Sequence, residues 1–533
     1  MEDLSLIILL LFGILFLGLL SKKYNFPFPI VLVLSGVVIS LIPGLPVIAL
    51  KPDIVFLIFL PPLLYSAAWN TSWHDFKANL RPISLAAFGL VLFTTVLVAV
   101  AAHFMINGLS WPIAFLIGAI VSPPDAVAAT SVTKGLGLYP RMIAILEGES
   151  LVNDASGLIA YKYALAAAAL AGHFVLKEAT LNFLWVVAAG VGIGLAISWL
   201  VYIIHKKFIC DSVIEVTLTF LTPFASYLVA EHFHVSGVLA VVSTGLYLSF
   251  RSSEIFSNES RIMAYAVWET VIYILNGLIF ILIGLQLRSV IVGIGGYSKT
   301  ELLLYGFVVS FVVIIVRFIW VVPAAMLPRI LSKRIREREA FDPRNLVVFG
   351  WAGMRGVVSM AAALAVPLTL KDGSAFPNRN LIIYLTFCVI LSTLVLLGLT
   401  LPWIIKKMKL PKHSIAAEEY EVRNTVLNFS IAHIEENLSL VQDELLNNIK
   451  TKYEIKFNRL QKTDLPAGYF GREQDKKENL FNEFSKLQID MIKVERTIIA
   501  ELHKTGKASE EILRKIEREL DLEETRLQME MYI

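Results

Sequence analysis

The chain has 533 residues, of which 56% are hydrophobic, with a mean hydropathy of +0.68, well above the roughly 45–50% apolar usage of soluble domains. A net charge of +3, with the basic residues clustered rather than spread, argues against a nucleic-acid surface and for loops that orient membrane spans. Two cysteines, Cys210 and Cys388, supply neither a disulfide framework nor a metal spacing.

A bilayer core of about 30 Å needs roughly 20 apolar residues per helix. Thirteen such runs follow one another, near 4–21, 27–44, 53–69, 82–104, 111–131, 142–171, 180–204, 213–230, 235–250, 264–287, 301–327, 345–369 and 380–405. The first run follows the acidic Met1-Glu2-Asp3 and precedes Lys22 and Lys23, the reverse of a cleaved leader, so it is expected to stay, with its N-terminus outside. Alternate loops hold Lys22/Lys23, Lys77/Arg81, Lys134/Arg141, Lys206/Lys207, Arg251/Arg261, a dense run from Arg329 to Arg344, and Lys406/Lys407/Lys409, while the other loops are sparse. Retention of Lys and Arg on the cytoplasmic side then predicts a cytoplasmic C-terminus. Residues 1–409 read as the transmembrane domain and 410–533 as a charged, helical cytoplasmic tail, in which Gly506 can end one helix and Ser509, followed by Glu510 and Glu511, can cap the next.

Ionisable residues inside apolar spans are costly and usually face a cavity or a partner. In GESLVNDASG, 148–157, Ser150 and Asp154 share one helix face, and Glu149 with Asn153 forms a stripe about 100° round. Glu147 is a third carboxylate nearer the cytoplasmic mouth. In VSPPDAVAATS, 121–131, Pro123 and Pro124 remove two backbone donors in mid-span and predict a helix break just before Asp125. Such a break is tolerated where backbone lines a cavity or is buried in protein, and it marks transporter binding sites. In FGWAGMRGVVSMAAALAVP, 349–367, Gly350, Gly353 and Gly356 surround Arg355, a spacing that suits either close packing or a second break. Arg355 needs a carboxylate, and Glu149 is the natural candidate because its stripe faces away from that of Asp154.

Two helix sets with one interrupted span each fit an inverted-repeat carrier. A carboxylate, a hydroxyl and freed carbonyls suit a small hard cation, and with no GxxxxGK[ST] the motor is an ion gradient. Lys162, eight residues beyond Asp154, reads as snorkelling or pairing with another helix; Glu269 and Arg317 read as structural and His103 as interfacial.

Taken together, GESLVNDASG, VSPPDAVA, LPPLLYSAAW (60–69), PFASYLVAEHFHVSGVLAVVSTGL (223–246), WETVIYILNGLIFILIGLQL (268–287) and GMRG resemble the monovalent cation:proton antiporter-1 family, the sodium/proton exchangers. The resemblance implies an all-α, NhaA-like fold of 13 helices, a homodimer in the plasma membrane, the inner membrane of a bacterium, and 1:1 exchange of Na+, or another alkali cation such as Li+ or K+, for H+ without a cofactor. It implies that Asp154 is the shared carrier of ion and proton, with Asn153 as its partner. It further implies that Asp125 lies at the helix crossing and that Glu149 with Arg355 forms a structural ion pair, while Ser150, on the face of Asp154, can point with it at one small ligand. Some members carry a carboxylate where Ser66 stands, so a fourth ligand here is either a hydroxyl or missing. A K+/H+ exchanger and a cation channel are the alternatives. An aspartyl protease is disfavoured because LVND lacks a Gly-x-Gly before Asp154, and a zinc site at Glu231-His232-Phe233-His234 because HExxH is absent.

Overall fold

A computed structural model describes residues 2–24, 26–42, 52–133, 138–170, 176–208, 211–295, 297–331, 342–370, 373–408, 415–437, 477–505 and 508–532. Cys210, Gly506 and the whole tail segment 438–476 lie outside the described residues. Among the described residues the secondary structure is helical, apart from one isolated bridge between Thr369 and Ala375.

Among the described residues, six helices are long and apolar enough to cross a membrane: Leu80–Met105, Asn182–Lys207, Ser212–His232, Ser260–Val292, Lys299–Leu327 and Arg379–Met408. Helices Glu2–Tyr24, Phe28–Ser40, Pro52–Asn70, Pro140–Leu170 and Gly237–Phe250 lie over five more of the predicted runs. The remaining two runs are each split in two, into Trp111–Val121 with Ala126–Thr133 and Pro343–Trp351 with Val357–Leu364. The second split decides the reading left open for GMRG: Ala352 to Gly356 is a helix break.

Local chemistry sets several ends. Ser236 accepts from Leu239 N at 3.3 Å, and Asp342 accepts from Arg344 N at 2.9 Å with Pro343 opening the helix, the expected N-cap arrangement. Two single-turn π segments, Leu85–Leu90 and Thr393–Leu397, interrupt otherwise continuous helices, and nothing in the apolar pattern predicts them. The Trp111–Val121 helix is buried along almost its whole length. A Cβ on Gly118 would meet the Thr95 carbonyl, and one on Gly36 that of Ile281, so small residues let these helices approach backbone to backbone.

The chain divides into two compact units. One comprises residues 1–207, 217–251 and 268–412, and carries every residue of the candidate site. The other comprises 208–216, 252–267 and 413–533. In the second unit, helices Ile415–Asn437, Lys477–Thr505 and Glu510–Tyr532 enclose Val422, Val426, Ile492, Ile499, Ile512, Leu513, Ile516 and Leu520, apolar residues recurring on one helical face. Its buried Asp521 accepts from Arg261 at 2.6 Å and from Arg496 at 2.7 Å, and His503 Nε2 lies 2.8 Å from Glu510.

Candidate functional site

Breaking a helix inside an apolar layer frees backbone groups that must find partners. At Pro123-Pro124 several of the freed groups have one. Arg355 Nε donates to Val121 O at 3.1 Å and its Nη2 to Ser122 O at 3.3 Å, with a further bond to Gly353 O. Asn153 Nδ2 donates to Pro124 O at 3.0 Å, and Asp125 N to Met354 O at 2.7 Å. The Asp125 carboxylate accepts from Ala128 N in its own helix and from Val357 N in the other, both at 3.4 Å. A guanidinium therefore faces the C-terminal end of Trp111–Val121, and a carboxylate faces the N-terminal ends of Ala126–Thr133 and Val357–Leu364. Both signs match the helix dipoles.

The predicted pair of Glu149 with Arg355 is corrected. Glu149 is bound bidentately by Arg317, at 2.7 Å through Nη1 and 2.9 Å through Nη2, with both side chains 1% exposed. Arg317 also donates to Phe349 O at 3.2 Å and stacks over the Phe349 ring. The physical reason is division of labour. Arg355 is committed to the carbonyls freed at the breaks, so the carboxylate stripe one turn away is neutralised from helix Lys299–Leu331 instead. Arg317 was legible only as an arginine inside an apolar run, which does not name its partner.

Asp154, Asp125, Ser150, Ser66 and Glu147 all line one cavity of about 220 Å³. Its wall comes from helices Pro52–Asn70, Pro140–Leu170 and Asn258–Val292 and from both interrupted spans. Asp154 is buried, and no hydrogen bond or ion pair engages it among the described residues. Asn153 is fully buried, its Nδ2 donating to Pro124 O while its Oδ1 has no hydrogen-bond partner among the described residues. Thr130, Asn276 and Ser359 also line the cavity and were not anticipated from the sequence. An oxygen-rich cavity with acidic side chains, at the crossing of two broken helices, has the chemistry to strip and hold a small cation.

The remaining ionisable residues fall outside this cavity. Lys162 bonds Glu231 at 3.0 Å, His103 Nδ1 lies 2.7 Å from Leu109 O with its ring stacked on Trp111, and Glu269 is exposed.

Crossed broken helices around an acidic cavity define an ion-coupled membrane carrier, and the chain belongs to the sodium/hydrogen exchanger family, whose transmembrane model matches residues 7–407. Among individual relatives, it is similar to the sodium, potassium, lithium and rubidium/H+ antiporter of Bacillus pumilus, at 31% identity over 85% of this chain and 68% of that one. It is similar also to the Na+/H+ antiporter ApNhaP of Aphanothece halophytica, at 28% identity over 95% and 94%. Its fold resembles that of the sodium proton antiporter MjNhaP1 of Methanocaldococcus jannaschii, with a TM-score of 0.60 and 20% identity over 76% of this chain and 99% of that one. The protein is thus a multi-pass membrane antiporter rather than a member of a catalytic family.

Proposed function

We propose that this chain exchanges one monovalent cation, Na+ foremost, for one proton by alternating access, with Asp154 as the carboxylate for which both compete. The observation that carries the reading is the isolation of Asp154. Glu149 is neutralised by Arg317, and Asp125 is tied to helix N-termini, whereas Asp154 faces the cavity with no counter-charge among the described residues. A carboxylate in that position is neutralised either by a proton or by a cation, and Ser150, Asp125 and Ser66 are the oxygens at hand to complete a shell around Na+. Asn153 holds the broken backbone in register behind it. Since the site crosses with the same charge whichever passenger it carries, the cycle is electroneutral. Turnover falls at low pH, where the proton holds the site, and again at high pH, where protons are scarce.

The same reading has 13 spans, the N-terminus outside and the 410–533 tail in the cytoplasm of a bacterial cell, and a homodimeric assembly in the plasma membrane. K+ remains the second candidate cation, supported by the breadth of ions in the name of the Bacillus relative. The test is flux in proteoliposomes: the wild type moves protons against their gradient when a Na+ gradient is imposed, and Asp154→Asn abolishes this while the protein stays folded. Appreciable Na+-driven proton movement by Asp154→Asn refutes the role of Asp154. Mere dissipation of both gradients by the wild type indicates a channel.

A further inference from the structure

We infer that Ser359 is a cation ligand supplied by the second interrupted helix, one that sets the affinity and ion preference of the Asp154 cavity. This deepens the exchange reading above and rests on it. Ser359 lines the cavity shared by Asp154, Ser150 and Asp125, is 2% exposed, and its Oγ has no hydrogen-bond partner among the described residues.

The lack of a partner follows from the helix break. A hydroxyl in an apolar helix ordinarily donates to the carbonyl three or four residues back. Thr95 does so to Val91 at 2.8 Å, Ser310 to Gly306 at 2.7 Å, Thr386 to Ile382 at 2.8 Å and Thr393 to Val389 at 2.8 Å. For Ser359 the corresponding carbonyls belong to Gly356 and Arg355. The helix begins only at Val357, and Gly356 has φ −150° and ψ −133°, so the Arg355 carbonyl is off the helical screw. The Gly356 carbonyl already accepts from Met360 N at 3.4 Å.

A buried hydroxyl without a partner is unfavourable enough that native structures rarely keep one idle. Here the partner is the cavity's occupant. Three carboxylates on the wall, Asp125, Glu147 and Asp154, make that occupant a cation, and a hydroxyl offers it a neutral hard oxygen. Asp154 and Ser150 come from helix Pro140–Leu170 and Asp125 from the first break. Ser359 adds the second break, so a bound ion joins all three elements.

The experiment uses the full-length protein in proteoliposomes and compares the wild type with Ser359→Ala, Ser359→Cys and Ser359→Thr. Losing one neutral ligand oxygen raises the apparent KM for Na+ roughly two- to tenfold in the Ala variant at nearly unchanged maximal rate. The increase is largest for Li+ and smallest for K+, because the smaller ion loses more when an oxygen is withdrawn. The Cys variant conserves volume and shows the same loss, which separates ligation from packing, and the Thr variant retains the hydroxyl and stays near wild type. A wild-type KM for all three ions in both the Ala and Cys variants overturns the inference while leaving the exchange reading intact. A reduced maximal rate with unchanged ion preference assigns Ser359 to structure and overturns it as well. A wild type without cation-driven proton movement fails the exchange reading, and the inference falls with it.

Discussion

Replacing Glu149 by Gln strands the Arg317 guanidinium in a site where both side chains are 1% exposed. For unit charges about 4 Å apart, an effective dielectric of about 20 gives an attraction of about 4 kcal/mol, in line with the roughly 3–5 kcal/mol lost when one partner of a buried pair is removed. Glu149→Gln and Arg317→Met should therefore each destabilise the fold by that amount. The double variant removes both charges together and should cost no more than either alone, since an uncharged pair of similar volume is close to neutral. The measurement is a double-mutant cycle on the denaturation midpoint in mild detergent, with a parallel cycle for Glu149→Gln and Arg355→Gln. The reasoning predicts a coupling of several kcal/mol for Arg317 and a small one for Arg355, whose side-chain bonds are to backbone carbonyls. Additive losses in the Arg317 cycle, or a larger coupling in the Arg355 cycle, would refute it.

One-for-one exchange carries no net charge, so the equilibrium Na+ distribution in proteoliposomes clamped at 0 and then at about 100 mV should be the same at fixed ΔpH. A two-proton carrier would instead shift by about 2.3 kcal/mol per 100 mV, and such a shift would point to Asp125 as a second titrating group. In the tail, the hydrogen bond to Glu510 raises the pKa of His503 above its ordinary value of 6.5. Burial opposes ionisation of Glu510, but the His503 hydrogen bond and the Arg514 charge override it and hold the carboxyl down to about 2. The His503 contribution is thus complete below its unfolded pKa and is lost as pH rises through the raised one. The Glu510 contribution is complete above about 4.5 and is lost only as pH falls toward 2. Hydrogen exchange of residues 477–532 in the full-length protein should therefore be slower, relative to its intrinsic rate, at pH 5.5 than at pH 8.5. His503→Gln should remove most of that difference, and equal protection at the two pH values would contradict the pairing.

Much of this architecture is legible in residue order, because apolar runs and misplaced charges carry it. Asp154 and Ser150 share a face by helix geometry alone, and both line the cavity. The proline pairs show where legibility stops. Pro123-Pro124 ends a helix, yet Pro61-Pro62 sits inside the continuous helix Pro52–Asn70. The difference is tertiary: Arg355, Asn153 and Met354 meet the groups freed at the first pair, and their arrival cannot be read from the local sequence. Arg317 and Arg355 both lie inside apolar runs, and only packing decides that Arg317 is the one that meets Glu149. Ser359 escaped notice because a serine in an apolar helix ordinarily satisfies itself, and its failure to do so depends on where Gly356 starts the helix.

The trans-capping of the two breaks also bears on how the chain is made. Ser122 meets its guanidinium donor 233 residues later in the sequence, an interval of roughly 10–50 s at ordinary synthesis rates of 5–20 residues per second. Throughout that interval the first interrupted span stands beside or within the bilayer with carbonyls that only later residues can cover. Insertion machinery, lipid headgroups or water must shelter it meanwhile. The ion cavity is accordingly a late product of biogenesis, closed only after the second half has emerged, and nascent chains ending before Arg355 should be the ones that quality control recognises.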